Sequence, residues 1–316
     1  MSTGRRLKLG LVGVGRWGQR FIKTAENIEG VDIEWVASTS LRNGYYKNRI
    51  KVISDWHDFA TLDIDGAIIA TPPDTHAEIL ENFIASGIPS IVEKPLCLNI
   101  GTANHLNELS TLNDVPVLVD HTQLFQPAFE ALHKRVTQLG SVRYIRSEGM
   151  GMGPFRSNVP ILWDWSPHDI SMCLTLLAGL PKYVYAAEDQ NFLTISLDFG
   201  QQIKSTIVNS NVFPEKRRSF CAYMDSQLLH FTEYPDARLT EYKLGLTESQ
   251  DFYSIERLEP IKISSAKPLD RVVRYFAQGI KEGGNQDRFG LDLACDVLRV
   301  IEAASQSLSK NVQIRL

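Results

Sequence analysis

The sequence has little of what marks secreted, membrane-spanning or nucleic-acid-binding proteins. It contains no C-x-x-C pair, so neither a zinc ribbon nor a disulfide framework is indicated. Its four cysteines are widely scattered: Cys97, Cys173, Cys221 and Cys295. No apolar run reaches the ~18 residues that a membrane span needs. The 33 basic and 37 acidic residues give a net charge of -4 without a long block of one sign. We therefore expect a cytoplasmic protein with no membrane association and no nucleic-acid partner.

What is present is typical of a globular protein with two domains. The chain has 316 residues, of which 43% are hydrophobic and 22% charged. Strands alternate with helices up to residue 121, and short strands with alternating apolar and polar residues follow. We predict an α/β protein with a doubly wound parallel sheet in residues 1–121. For residues 122–316 we predict an α+β domain with a large, open, mostly antiparallel sheet.

A glycine motif follows the first predicted strand. The apolar run from Leu7 to Val12 leads into Gly13, Gly15 and Gly18 with G-x-G-x-x-G spacing, and a helical segment comes next. Strand, glycine turn and helix in this order are the pattern of a dinucleotide-binding Rossmann domain, whose pyrophosphate lies at the helix N-terminus. Arg16 and Trp17 lie inside the motif and are included in the predicted cofactor site. The alternative is a glycine-rich turn without a ligand.

The segment after the second predicted strand concerns the choice between NAD and NADP. NAD-binding domains usually carry an acidic residue about 20 positions beyond the glycines, whereas this chain has Ser40 there and Arg42 just beyond. A hydroxyl and a guanidinium suit a 2′-phosphate better than a bare ribose. We therefore predict NADP or NAD as the cofactor, with NADP slightly favoured. A polar loop without this role is the alternative.

Two further corners follow buried strands of the predicted sheet. Thr71 and Pro72 come after the run that ends at Ala70, with His76 a few residues later. Glu93 and Lys94 end the next apolar run and are followed by a proline. Because ligands bind at the carboxyl ends of parallel strands, all five residues are predicted to lie at the cofactor site. Lys94 is favoured for a functional role over that of an exposed surface lysine.

The second half contains one stretch with candidate catalytic residues, Trp163-Asp164-Trp165-Ser166-Pro167-His168-Asp169. Ser166 and Asp169 have the spacing of a capping box, which predicts that His168 lies in the first turn of a helix. A helix N-terminus disfavours imidazolium, so we expect His168 to be neutral and able to accept a proton. Asp164 could orient it. The alternative is that these residues only cap the helix and form structural hydrogen bonds.

Two features of the second half concern the predicted surface of the protein. Lys216-Arg217-Arg218 is predicted to be a solvated turn. The open sheet predicted for this half leaves one broad face exposed, and such a face could bind a second copy of the chain. We therefore expect a homodimer or homotetramer formed through it.

No metal site is predicted, since the histidines and carboxylates do not have the spacing of metal ligands.

Taken together, these motifs resemble the glucose-fructose oxidoreductase, inositol dehydrogenase and MocA (Gfo/Idh/MocA) family. The resemblance covers nearly the whole length and rests on the glycine turn, Ala70-Thr71-Pro72-Pro73 with His76, Glu93-Lys94-Pro95, and the C-terminal sheet. It implies that Lys94, Asp164 and His168 are the catalytic residues. It also implies an NAD(P)-dependent oxidoreductase, and the Val119-Asp120-His121-Thr122 variant is similar to that of members acting on sugars or nucleotide sugars.

The resemblance leaves other functions open. A relative of the same fold could bind dinucleotide or sugar without catalysis and regulate a protein partner. Lys94, Asp164 and His168 together favour the enzyme, because a pure binding protein has no chemical need for them. A third possibility keeps hydride transfer but reduces another substrate, such as an imine or a polycyclic diol. The Asp164-to-His168 segment departs from the family's common Asp-x-Gly-x-His form.

The cofactor hypothesis gives a first testable prediction. Arg42→Ala should weaken NADPH binding much more than NADH binding, because only NADPH carries the 2′-phosphate that the guanidinium would neutralise. Fluorescence titration of the two reduced cofactors measures both affinities. If both affinities change alike, the 2′-phosphate hypothesis is wrong.

Overall fold

A computed structural model describes residues 5–39, 50–153, 159–246, 253–283 and 290–316. The chain divides into two compact units, Met1–Thr122 with Lys267–Leu298, and Gln123–Ala266 with Arg299–Leu316. The sequence prediction of a single boundary near residue 121 did not anticipate the second segment of the first unit. Among the described helices, none combines the length and the apolar character needed to cross a membrane.

The first unit contains a six-stranded sheet whose strand pairs are all parallel. Its strand order is β3-β2-β1-β4-β5-β6, so the predicted doubly wound sheet is confirmed. Strands β4, β5 and β6 are buried along their whole length, which explains their unbroken apolar sequences. The elements are β1 (Leu7–Val12), α1 (Arg16–Ala25), β2 (Val31–Ala37), β3 (Lys51–Ile53), β4 (Gly66–Ile69), α2 (His76–Ala85), β5 (Ser90–Glu93), α3 (Ile100–Asn113) and β6 (Val117–Asp120). The short strand β3 was not predicted.

The second unit is built on a nine-stranded sheet, in the order β14-β13-β12-β11-β7-β10-β9-β8-β15. Among the described strands of this second sheet, only β7 and β10 pair in parallel, so the prediction of a mostly antiparallel sheet is confirmed. The remaining elements of the chain are α4 (Pro127–Leu139), β7 (Tyr144–Met152), α5 (Ile161–Asp164), α6 (Ser166–Leu177), β8 (Tyr183–Asp189), β9 (Phe192–Gly200), β10 (Ile203–Ser210), β11 (Val212–Tyr223), β12 (Gln227–Thr232), β13 (Arg238–Leu246), β14 (Tyr253–Arg257), α7 (Pro268–Glu282), α8 (Leu291–Lys310) and β15 (Ile314–Arg315).

A buried carboxylate attaches helix α6 to the centre of this sheet. Asp169 is fully buried in the first turn of α6. Its Oδ1 accepts hydrogen bonds from Arg218 Nη1 (2.8 Å) and Ser147 Oγ (2.6 Å), and its Oδ2 accepts one from Asn209 Nδ2 (2.8 Å). We call these four residues the Asp169 network. They belong to α6, β11, β7 and β10, so the network joins the helix to three adjacent strands.

Gly149 makes the space for the Asp169 network. In the sheet register it lies between Asn209 on β10 and Arg218 on β11. A Cβ atom at this position would come within 2.9 Å of side-chain atoms of Asp169, Asn209 and Arg218, closer than carbon packs against such atoms. The missing side chain therefore lets one carboxylate reach both neighbouring strands.

The prediction that Lys216-Arg217-Arg218 forms a solvated turn is wrong. All three residues belong to β11, and the side chain of Arg218 is only 7% exposed. Lys216 Nζ lies 3.9 Å from the ring centroid of Tyr234, and Arg217 Nε lies 2.8 Å from a carboxylate oxygen of Glu148. Three consecutive basic residues are typical of a surface turn. The sequence does not show that the sheet brings each of them next to a partner that is distant along the chain.

The predicted capping box at the start of α6 is also wrong. The N-cap residue is Trp165, which makes no side-chain cap hydrogen bond, and Ser166 is the first helical residue. Ser166 Oγ donates to Asn209 Oδ1 (2.8 Å), while Asp169 is engaged in its network. Both side chains of the expected box therefore bond to the sheet, and helix α5 precedes Trp165 directly.

The buried ion pair leads to a prediction about stability. Arg218→Ala should lower the free energy of unfolding by about 3–5 kcal/mol, because it leaves the Asp169 charge buried without a counter-charge. The adjacent Arg217→Ala is a matched control. Its side chain is 52% exposed and its partner Glu148 keeps a 2.8 Å contact with Arg146, so we expect a loss below about 1 kcal/mol. Urea unfolding measures both, and equal losses would contradict the assigned role of Arg218.

Candidate functional site

The carboxyl ends of the parallel strands define one edge of the first sheet. Strands β1 and β4 are neighbours, and the chain continues outward from β1 to β2 and from β4 to β5. In open α/β sheets ligands bind at the carboxyl edge, where the strand order reverses in this way. The residues that follow β1, β4, β5 and β6 are therefore the candidate site of the first unit.

The glycine turn after β1 is shaped by contacts that exclude side chains. Gly13 has φ +90°, a conformation that favours glycine, and a Cβ atom there would lie 2.8 Å from the carbonyl oxygen of Ala70. A Cβ atom at Gly18 would collide with the carbonyl of Gly13. These two glycines therefore let the start of α1 pack tightly between β1 and β4.

Gly15 differs from the other two glycines because its side-chain position faces open space. A Cβ atom there would have no neighbour within 4 Å among the described residues. Gly15 is also the N-cap of α1, and no side-chain cap hydrogen bond is made at this end. An open backbone beside a helix N-terminus fits the pyrophosphate of a dinucleotide. Arg16 and Trp17 form the first turn of this helix.

His76 connects the turn after β4 with the corner after β5. Its ring is fully buried, and its two nitrogens lie 2.8 Å from the carbonyl oxygen of Thr71 and 2.9 Å from that of Pro95. Burial lowers the pKa of His76, although both hydrogen bonds oppose the shift. The hydroxyl of Thr75 donates to the carbonyl of Pro72 (2.8 Å), so the turn is also braced internally.

The corner after β5 brings several ionisable groups together. Lys94 is half-buried and its peptide bond to Pro95 is cis. Glu93 lies opposite Asp120 in the parallel register of β5 and β6, and both are buried together with His121. Burial raises the pKa of Glu93 well above its ordinary value and that of Asp120 to about 7, while the charge of Lys94 opposes both shifts.

His121 completes this group. Burial and the charge of Lys94 lower its pKa to about 3, so the ring is neutral at pH 7. Asp120 and His121 were noted in the sequence only as part of a family resemblance and not as site residues. The sequence did contain a signal for this group. Two consecutive buried strands each end in an acidic residue, and parallel pairing places the two residues side by side.

The second unit holds the other candidate residues. Asp164 is the last residue of α5, and His168 lies in the first turn of α6, both half-buried. Trp165 between them has right-handed helical angles, so the two residues are about one helical turn apart. Asp169, next to His168, is fixed by its network, and Ser171 Oγ donates to the carbonyl of His168 (2.8 Å). The backbone that carries His168 is thus held from both sides.

Two of the predicted cofactor residues, Ser40 and Arg42, lie outside the described residues. Within the described ranges, no group of three or more histidine, cysteine or carboxylate side chains is arranged to hold a metal ion.

The chain is similar in sequence to several known proteins. Residues 7–121 match the model of the GFO_IDH_MocA family, described as an oxidoreductase family with an NAD-binding Rossmann fold. The chain is 30% identical over 130 residues to the rhizopine catabolism protein MocA of Rhizobium meliloti, covering 40% of this chain and 41% of MocA. It is 27% identical over 192 residues to inositol 2-dehydrogenase of Rhizobium meliloti strain 1021, covering 57% and 58%. These alignments span about half the length of the curated relatives or less.

A solved structure matches over nearly the whole length. It is a protein of Magnetospirillum magnetotacticum MS-1 that is provisionally named an oxidoreductase, with a TM-score of 0.81 and 30% identity. The match covers 95% of this chain and 99% of that one. From these matches and the geometry of the glycine turn, the chain belongs to the Gfo/Idh/MocA oxidoreductase family, with residues 7–121 as its NAD-binding Rossmann domain.

Proposed function

We propose that this protein is an NAD(P)-dependent oxidoreductase that transfers a hydride between nicotinamide and a secondary alcohol or ketone. The observation that carries the proposal is Lys94, which directly follows β5 at the same edge of the sheet as the open backbone of Gly15. A positively charged side chain at this edge suits a reacting oxygen next to a bound dinucleotide. Family membership and the names of the curated relatives support a dehydrogenase.

The proposed substrate is a sugar, a cyclitol or a nucleotide sugar. Inositol 2-dehydrogenase is named for a cyclitol substrate, and such polyols offer several secondary hydroxyls. Trp163 and Trp165 flank Asp164 and are half-buried, so either indole could contribute an apolar face against a sugar ring. The reduction of an imine or the oxidation of a polycyclic diol would keep the same hydride chemistry.

The cofactor-binding residues of the proposal fall into two groups. Gly13, Gly15, Arg16, Trp17, Thr71, Pro72 and Lys94 would bind the dinucleotide directly. His76, Glu93 and Gly18 are buried; His76 and Glu93 support the site through the corners to which they belong, and Gly18 supports it by letting α1 pack against the glycine turn. A preference for NADP rests on Ser40 and Arg42 in the sequence alone. When bound, the nicotinamide ring supplies or accepts the hydride.

The chain's own residues handle the proton and the substrate oxygen. We assign His168 as the group that accepts the hydroxyl proton when the alcohol is oxidised and returns it when the ketone is reduced. Such a base must lie about 2.6–3.2 Å from the oxygen in the productive complex. Lys94 donates a hydrogen bond to that oxygen and polarises it. Asp164, one helical turn before His168, orients the imidazole or a neighbouring substrate hydroxyl.

The second sheet supports the proposal of a homodimer or homotetramer. Helix α6 packs on the face to which Ser147 and Phe220 point, and Phe129 of α4 meets the ring of Phe220 on the same face. Along β8, Tyr183 and Tyr185 are each 37% exposed and alternate with buried neighbours. Aromatic side chains on a broad sheet face suit contact with a second copy.

The function is tested by cofactor binding followed by turnover. We expect NADH or NADPH to bind in a fluorescence titration, and a panel of sugars, cyclitols and nucleotide sugars to include one that changes the absorbance of the reduced nicotinamide. Binding without turnover across the panel would favour a non-catalytic sensor of the same fold. Failure of both cofactors to bind would contradict the proposal as a whole.

The role of Lys94 gives a sharper prediction. Lys94→Ala should lower kcat by about 10²–10⁴-fold, the usual contribution of a group that assists proton transfer or polarises a reacting oxygen. The Kd of the cofactor should stay within about tenfold, because the glycine turn and helix N-terminus provide most of the phosphate contacts. Lys23→Ala, at an exposed position of α1, is the matched control and should leave both values unchanged. Equal loss of turnover and affinity would refute the assigned role.

A further inference from the structure

Two carboxyl groups lie side by side at the ends of β5 and β6, directly before Lys94 and His121. Glu93 and Asp120 are register partners in the parallel ladder, so their backbones are about 4.8 Å apart. Their exposed fractions are 5% and 0%. We call these two residues the carboxyl pair.

Two of the four oxygen atoms of the carboxyl pair have no hydrogen-bond partner among the described residues. Asp120 Oδ1 accepts a hydrogen bond from Thr122 Oγ1 (2.9 Å). Asp120 Oδ2 and Glu93 Oε1 are buried and have no hydrogen-bond partner among the described residues. Two ionised carboxylates in this setting would each lose hydration and would also repel one another.

Two positively charged groups act on the pair, Lys94 and Arg20. Lys94 stabilises the ionised form of both carboxyls, and Arg20 of α1 adds a weaker effect on Glu93. His121 is neutral and supplies no charge. One positive charge close to two buried carboxyls is balanced when the pair carries one negative charge and one proton.

We propose that Glu93 and Asp120 share one proton at neutral pH and act as a single negative counter-charge that holds the Lys94 ammonium group in place. They are positioning residues for Lys94, so the second half of this proposal rests on the proposed function. The first half concerns the protonation of the carboxyl pair alone.

Infrared spectroscopy of the protein without substrate tests the protonation. At pH 7 we expect the carbonyl band of a protonated carboxyl group, and we expect Asp120→Asn and Glu93→Gln each to remove it, because the remaining carboxyl ionises beside Lys94. Absence of the band in the unmodified protein, or its persistence in both single variants, would overturn the proposal. Glu34→Gln, on β2 of the same sheet, is the control and should keep the band.

The pH dependence of stability provides a second measurement that needs no turnover. The pKa of Asp120 is raised from 3.8 to about 7, so the folded state favours its protonated form. The corresponding stabilisation is complete below about pH 4 and is lost as the pH rises through about 7. The Tm of Asp120→Asn relative to the unmodified protein should therefore rise between pH 5 and pH 9. A constant difference would overturn the shared proton.

Kinetics test the action on Lys94. Each single variant keeps one carboxylate, so it should lose part of kcat, whereas the double variant should lose about tenfold or more beyond either single variant, as expected for groups that substitute for one another. KM should change little. If the infrared band changes as expected but the double variant has the same kcat as the single variants, the positioning role is wrong while the shared proton is supported. If the protein turns over none of the panel substrates, the infrared result is unaffected and only the proposed function fails.

Discussion

A buried imidazole holds together the two backbone corners on which the candidate site of the first unit depends. The ring of His76 reaches the carbonyl of Thr71 in the turn after β4 and the carbonyl of Pro95 in the corner after β5. Because the ring is fully buried, water cannot replace either contact if it is lost. Beyond the paired ends of β4 and β5, this side chain therefore connects the turn that packs on Gly13 with the corner that carries Lys94.

The two units bury negative charge in opposite ways. Asp169 has three hydrogen-bond donors, one of them the guanidinium of Arg218, so its charge is compensated in full and serves to fix a helix. Glu93 and Asp120 keep unpartnered oxygen atoms among the described residues, and their pKa values are raised. Asp169 therefore has a structural role. Glu93 and Asp120 form a pair that can change its protonation near neutral pH.

The sequence predicted the first unit better than the second because its signals are local. Strand, glycine turn and helix follow one another at Gly13, so spacing alone is informative. Arg218 was misassigned because its partner Asp169 is 49 residues away, and only sheet register brings the two together. Strand β3 has three residues, too few for a periodic pattern. Spacing placed Lys94 and His168 at the ends of elements and indicated that His168 could accept a proton, but their assignment as catalytic residues came from resemblance.

The absence of a side chain at Gly149 links side-chain volume to electrostatics. At most buried positions an added methyl group is a packing fault, and neighbours shift to make room. Here the atoms that would have to move belong to a carboxylate, a guanidinium and an amide that satisfy one another. A single added carbon atom would push a buried anion away from its cation, so the tolerance of this position to mutation is limited by charge as well as by size.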